Sequence, residues 1–316
     1  MAAMVAVGAS AQSDAQFSQY FQVRNYYNPA AIGTSDLLNI RAGGRLQWIG
    51  VDNAPQTFIA AAEMPFKFVG KRFGTGLLIQ QESLGLYKNF SVGAQIGYKL
   101  KLLKGELTIG LQPGFITQSF KGTDVFIPDE DDYHNSSDNA IPQRDLQGNA
   151  FDLGAGVFYT RGNWWAGLSA THITKPTISL KSDTGETSET SDNYEFTVGR
   201  TAYFMAGGNI PIKNTLFEVM PSLIVMSDFT FYTGEITARL RYNKFLTAGL
   251  GYRYEDAVTF LLGAEYKGFT IGYSYDYPIS AVGKASSGSH EIFAGYSLKL
   301  DFSEKNKNRH RSIRIM

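Results

Sequence analysis

Between Phe90 and Lys101 one set of alternate positions reads Phe90, Val92, Ala94, Ile96, Tyr98 and Leu100. The other set reads Ser91, Gly93, Gln95, Gly97, Lys99 and Lys101. The same period runs through 246–254, where Leu246, Ala248, Leu250, Tyr252 and Tyr254 alternate with Thr247, Gly249, Gly251 and Arg253. It recurs through 269–277 and 292–302. A period of two puts successive side chains on opposite faces of a strand, so each stretch predicts a strand with one apolar and one polar face. These stretches run about nine to twelve residues, longer than the ~5–6 of soluble sheets and matched to the ~9–11 that a tilted strand needs to cross a bilayer.

About fourteen such segments are readable, an even count of the kind bacterial barrels use. They lie at 37–48, 55–65, 74–82, 88–101, 105–118, 150–161, 163–173, 194–211, 214–227, 229–242, 245–254, 257–267, 268–277 and 289–302. The even joints are short, at Lys101–Lys104, Arg161–Asn163, Ile212–Asn214, Asn243–Lys244 and Lys267–Gly268, with Phe66–Phe73 the longer exception. The long polar insertions near 119–149 and 174–193 both fall on odd joints. Short periplasmic turns with longer outer loops are the pattern of bacterial outer-membrane barrels. The expected fold is therefore all-β: a transmembrane antiparallel β-barrel over 37–302, both termini periplasmic, in the outer membrane of a Gram-negative bacterium. A soluble propeller or sandwich would show shorter strands or a repeat of fixed period, and no such repeat is visible. Trp48, Trp164, Trp165, Tyr252, Tyr254 and Tyr277 lie near strand ends and fit interfacial girdles. Glycines on the polar face are expected to keep the lumen clear and ease curvature.

Composition narrows the class without changing it. The 316 residues are 43% hydrophobic and 14% aromatic, with 33 Gly, 18 Tyr and no Cys. The absence of Cys excludes disulfides, thiolate metal sites and a cysteine nucleophile. A formal charge of +0 gives no electrostatic case for nucleic acid. The mean hydropathy of -0.17 is compatible with a barrel, because alternating faces average to neutral. Residues 1–8 are small and apolar and Ala9-Ser10-Ala11 looks like a cleavage site, so 1–11 is expected to be a signal-peptide remnant whose basic start is missing. Residues 12–36 then form an N-terminal periplasmic segment, a candidate plug or cover of the periplasmic mouth, and 303–316 a basic periplasmic tail.

Chemical motifs are sparse. There is no P-loop, GxGxxG or HExxH pattern, and the four His are scattered at 134, 172, 290 and 310. Ser169 stands three residues from His172 and so is expected on the opposite face, whereas Asp276 and His290 could approach at the outer rim. No catalytic, cofactor or metal residues are assigned, and the chain is not expected to be an enzyme. The acidic run Asp129–Asp132 lacks the spacing and Gly of a calcium loop, and 182–193 reads as an exposed polar loop. Two sets of residues are candidate partner contacts. Arg45 and Gln47 share one face, alternate with Leu46 and Trp48, and are expected to join a polar lumenal network or meet a plug or cargo. Lys305, Lys307, Arg309, Arg311 and Arg314 in the tail offer an electrostatic handle for a periplasmic partner or acidic polymer, with a solvated tail as the alternative.

Several stretches, taken in order, resemble one family. They are Gln16-Phe17-Ser18-Gln19-Tyr20 with Tyr27-Asn28-Pro29-Ala30, then Arg45-Leu46-Gln47-Trp48-Ile49-Gly50 with Asn53-Ala54-Pro55-Gln56-Thr57. Gly251-Tyr252-Arg253-Tyr254 and Gly288-Ser289-His290-Glu291-Ile292-Phe293 with Gly295-Tyr296 follow. From about residue 16 to the tail, the chain resembles the PorP/SprF family of type IX secretion and gliding-motility membrane proteins, found in Bacteroidota. The resemblance implies a non-enzymatic barrel that docks or anchors secreted surface proteins. Its implied partners are the C-terminal domain of a secreted cargo or an adhesin, the lipoproteins and periplasmic components of the machinery, and outer-membrane lipid. A passive porin or small-molecule transporter is the alternative that the barrel alone allows.

Overall fold

The computed structural model describes residues 14–125, 144–182 and 194–300. The described chain opens with a 3-10 turn at Tyr20–Gln22 and a single helical turn, α1, at Arg24–Tyr27. The strands that follow are β1 (Leu37–Leu46), β2 (Gln56–Phe68), β3 (Lys71–Leu84), β4 (Tyr87–Leu102), β5 (Gly105–Phe120), β6 (Leu146–Arg161), β7 (Trp164–Thr171), β8 (Thr177–Ser182) and β9 (Tyr194–Thr197). They continue with β10 (Thr201–Gly208), β11 (Ile210–Pro211), β12 (Phe217–Ser227), β13 (Tyr232–Tyr242), β14 (Leu246–Arg253), β15 (Ala257–Tyr266), β16 (Phe269–Pro278) and β17 (Ser289–Lys299).

Fourteen of these make a closed antiparallel wall: β1–β7, β10 and β12–β17, with β7 pairing β10, β10 pairing β12, and β17 returning to β1. The closing seam runs from Leu37 opposite Lys299 to Leu46 opposite His290. The first wall strand therefore begins, and the last one ends, at the same edge, called here the inner edge. The tight turns Val69–Gly70, Leu103–Lys104, Gly162–Asn163 and Lys267–Gly268 lie there too. Positive φ values at Val69, Leu103, Lys104, Lys267 and the glycines Gly70, Gly162 and Gly268 let such short hairpins turn.

Burial is inverted relative to a soluble sheet. Along β14 the apolar Leu246, Ala248, Leu250 and Tyr252 are exposed, while Gly251 and Arg253 are buried. Along β16 Phe269, Ile271, Tyr273 and Tyr277 face out, whereas Ser274 and Asp276 are 1% and 3% exposed. A closed ring with apolar residues outside and polar residues inside satisfies both its backbone and the hydrocarbon around it. Among the described residues no helix is long and apolar enough to cross a membrane.

Several expectations shift. The joint Phe66–Phe73 is no long turn. β2 and β3 pair to their very ends, Phe66 opposite Phe73 and Phe68 opposite Lys71, and the two rings stack at 5.3 Å. Pro65 is tolerated within β2 because it lies beyond the last β1 pairing, Asn39 opposite Glu63, where its missing N–H has no partner to lose. The segment 194–211 is not one strand. β8 and β9 form a hairpin whose first strand also pairs with β6 at Leu146–Gln147, and the wall resumes at β10. Ile116, Phe120, Leu146, Ile178 and Leu180 build a separate small core under that hairpin, at the outer edge. Trp164 and Trp165 cannot share a girdle, since neighbours in a strand face opposite ways. Trp164 is exposed, and Trp165 turns inward and stacks on Phe158 at 5.7 Å. The signal-like residues 1–11, the run Asp129–Asp132, His134, loop 183–193 and the basic tail with Lys305, Lys307, Arg309, Arg311 and Arg314 lie outside the described residues.

Candidate functional site in the barrel lumen

Residues 14–36 run inside the ring of strands. Phe17, Tyr20, Val23, Tyr27, Ala30 and Ala31 form the lumenal core together with wall residues Phe158, Tyr203, Met205, Ile224 and Phe293. The polar members are equally buried and each finds a wall partner. The Tyr20 hydroxyl meets Ser222 and Thr237 on β12 and β13 at 2.8 and 3.3 Å. Asn25 donates to Gln95 Oε1 on β4, and Gln95 Nε2 donates back to the Asn25 carbonyl. Asn28 Nδ2 donates to the carbonyls of Val157 and Leu168 on β6 and β7, while its Oδ1 accepts the Ala30 N–H and folds the turn before Pro29. Gly33 N–H donates to Glu63 on β2 at 2.6 Å, and its carbonyl accepts from the Lys99 ammonium.

Lumenal glycines shape this fit. A Cβ on Gly110 would sit 2.5 Å from the Ala30 backbone, and one on Gly167 2.6 Å from Asn28 Nδ2. On Gly156 and Gly272 it would overlap Asn28 Oδ1 and Gln19 Oε1. Glycine here lets backbone and side chains of the N-terminal segment press against the wall. The expectation that these glycines hold the lumen clear is corrected: they make the space that the segment fills.

The segment also lies differently from a cover over one mouth. Ser18 sits against Asp276, Glu291 and Arg45, all near the outer ends of their strands, whereas Gly33 meets Glu63 and Lys99 near the inner ends. It spans the lumen from outer to inner edge.

At the outer end a buried ion network locks it. Arg45 on β1 pairs with Asp276 on β16 at 2.7 Å and with Glu291 on β17 at 3.1 Å. Arg253 on β14 pairs with Glu235 on β13 at 2.9 Å, reaches Asp256 at 2.9 Å, and lies 3.5 Å from Asp276. Ser18 is the hub. Its hydroxyl donates to Asp276, also bonded by Thr259, and accepts from both Arg45 and Arg253. Glu291 takes the consecutive N–H groups of Ser18 and Gln19, one on each oxygen, at 2.9 and 2.8 Å. Charges this deep are stable only when paired and hydrogen-bonded. Here two arginines and three buried carboxylates are held together by one serine of the N-terminal segment.

A second contact ties down the start of the segment. His172 Nε2 lies 2.7 Å from Asp14 Oδ1, and its Nδ1 lies 3.0 Å from Asp152 Oδ2. Thr171 and Tyr203 also donate to Asp14. Burial opposes charge on both partners, but each stabilises the other: Asp14 is held down at about 2 and His172 is raised to about 10.

Sequence reasoning placed Arg45 in a lumenal network, and the structure brings it to Asp276 and Glu291. Gln47 lies just beyond β1, half-buried, with its backbone N–H on the Pro55 carbonyl. Asp276 and His290 do not meet. Asp276 points inward, and the His290 ring lies against Tyr273 and Tyr275 on the outer face. Ser169 and His172 both point inward, because His172 follows the end of β7 with a φ of 53° and leaves the strand alternation. Ser18, Glu235, Arg253 and Glu291 were not singled out as site residues. For Arg253 the available signal was a lone charge on a face otherwise made of Thr247, Gly249 and Gly251. Four separated motifs, around Ser18, Arg45, Arg253 and Glu291, converge on this one network.

Fourteen paired strands, an apolar exterior and a polar, charge-paired interior define a transmembrane barrel of the outer membrane. The sequence matches the family described as type IX secretion system membrane protein PorP/SprF over residues 9–296, and the chain belongs to that family. No curated protein matches it. Solved structures of similar outline include the toluene transporter TbuX of Ralstonia pickettii, at 12% identity over 87% of this chain and 93% of that one, with a TM-score of 0.49. A FadL homologue of Pseudomonas aeruginosa is 8% identical over 87% and 93%, TM-score 0.49. The translocator domain of autotransporter NalP from Neisseria meningitidis is 14% identical over 89% and 94%, TM-score 0.45.

Proposed function

We propose that the protein is a non-enzymatic accessory barrel of the type IX machinery, docking or anchoring secreted surface proteins and contacting periplasmic components. The observation that carries this reading is the occupied lumen. A segment bonded to strands on every side of the ring, and locked by a buried ion network, takes the space a passing solute would need. We read residues 14–36 as a resident plug, so the working surfaces are the two ends. The outer end carries the β8–β9 hairpin with its own small core, a platform for a surface protein. The basic residues Lys305, Lys307, Arg309, Arg311 and Arg314 follow β17 from the inner edge, where a periplasmic partner would meet them. Arg45 serves by holding the plug rather than by touching cargo. Roles in gliding motility and adhesin anchoring belong to this same reading.

Pull-down of the full-length protein in mild detergent, followed by mass spectrometry, tests the proposal. A large surface protein or lipoproteins of the secretion machinery should copurify. Loss of the periplasmic proteins on ending the chain at Phe302 would assign them to the tail. Solute flux in liposomes with no copurifying protein would favour the porin alternative.

A further inference from the structure

A cavity of about 230 Å³ lies between the N-terminal segment and the wall at the inner end of the lumen. Its charged lining is Arg24, Arg41, Arg239, Arg241 and Glu265. Only Arg241 has acidic partners, Glu218 and Glu265, the latter at 3.8 Å. Among the described residues no carboxylate lies within 4.0 Å of Arg24, Arg41 or Arg239. Arg24 is held by aromatic faces instead, 5.8 Å from the Phe158 centroid and 5.1 Å from that of Trp165. Arg239 stacks 3.4 Å over Phe21, and its Nε is buried without a hydrogen-bond partner. Arg41 donates only to the carbonyls of Ile40 and Tyr296 and the hydroxyl of Ser297. Glu63 acts electrostatically on Arg24 and Arg41, and Glu265 on Arg41, each from beyond ion-pair distance, and the Glu63 oxygens accept from Gly33 N–H and Asn39 Nδ2.

This is the opposite of the outer network, where two arginines face three buried carboxylates. Guanidinium groups that outnumber the carboxylates paired with them in a partly desolvated space repel one another unless an anion joins them. Aromatic faces hold two of them in place, and the planar guanidinium fork matches the two oxygens of a carboxylate or phosphate. We propose that this cavity is an oxyanion site, taking one phosphate or carboxylate group that enters from the inner mouth. The site is a property of the lumen itself and holds whatever docks at the ends of the barrel.

The test is calorimetric titration of the full-length protein in detergent with sodium phosphate and, separately, sodium acetate, at constant ionic strength set by chloride. Saturable binding of either anion is expected. It should weaken about tenfold or more in Arg239→Gln and in Arg41→Gln, which each remove charge-assisted donors, and stay unchanged in Lys101→Gln at the inner rim. Phosphate alone, acetate alone or both binding identifies the preferred oxyanion and supports the site. Wild-type protein that takes up neither anion overturns it, and this readout does not depend on any variant folding. Equal affinities in wild type, Arg239→Gln and Arg41→Gln overturn it as well.

Discussion

At the scale of residues, the outer network depends on reciprocal pairing. Arg45 neutralises Asp276 and Glu291 and bonds the Ser18 hydroxyl. Arg45→Met would leave those carboxylates buried with less counter-charge and is expected to destabilise the protein by about 3–5 kcal/mol. Arg45→Lys should restore part of that, since it keeps the charge and loses the two-pronged geometry. Urea unfolding of both variants in detergent checks the order. The Asp14–His172 contact makes a prediction in pH. His172 is raised from 6.5 to about 10, so its contribution is complete below its ordinary value and is lost as pH rises through about 10. Asp14 is lowered from 3.8 to about 2, so its contribution is complete above its ordinary value and is lost as pH falls towards 2. Stability should therefore lose a His172-dependent increment between neutral pH and pH values above about 10. Melting curves of wild type and His172→Gln should differ near neutrality and converge at the alkaline end.

At the scale of elements, the wall strands were legible because each is a long run of strict alternation, as in β14 and β16. Boundaries were read short where the pattern weakens: β3 extends to Lys71 and β2 to Phe68 because edge-to-edge pairing, rather than hydrophobic period, carries those last residues. The β8–β9 hairpin was missed because its strands are six and four residues long, too short to show a period beside a polar loop. The path of residues 14–36 was not legible at all. Their single helical turn has no period to read, and their conformation is set by wall partners 27 to 273 positions away, from Arg45 to Glu291. The lumenal glycines are the sequence trace of that path. Gly110→Val should displace residues 28–30 while leaving the exposed side of β5 untouched, with an overpacking cost of about 1–3 kcal/mol. Limited proteolysis should then cut the N-terminal segment faster than in wild type, with the barrel fragment intact.

At the scale of the whole molecule, the barrel carries two kinds of interior. Its outer half pairs two arginines with three buried carboxylates around Ser18, and its inner half gathers arginines around a cavity. Between them the N-terminal segment bonds to strands around the ring and fills the lumen, and the proposed function takes this as a cylinder that meets partners at its ends. Single-channel recording in planar bilayers tests this most directly, comparing wild type, a protein lacking residues 12–36, and Gly272→Leu, which keeps the segment but obstructs Gln19. The account predicts a silent or nearly silent wild type, and steady open conductance in the deletion or, should that protein fail to fold, in Gly272→Leu. A wild-type protein that conducts steadily, at a level that neither change alters, would contradict it.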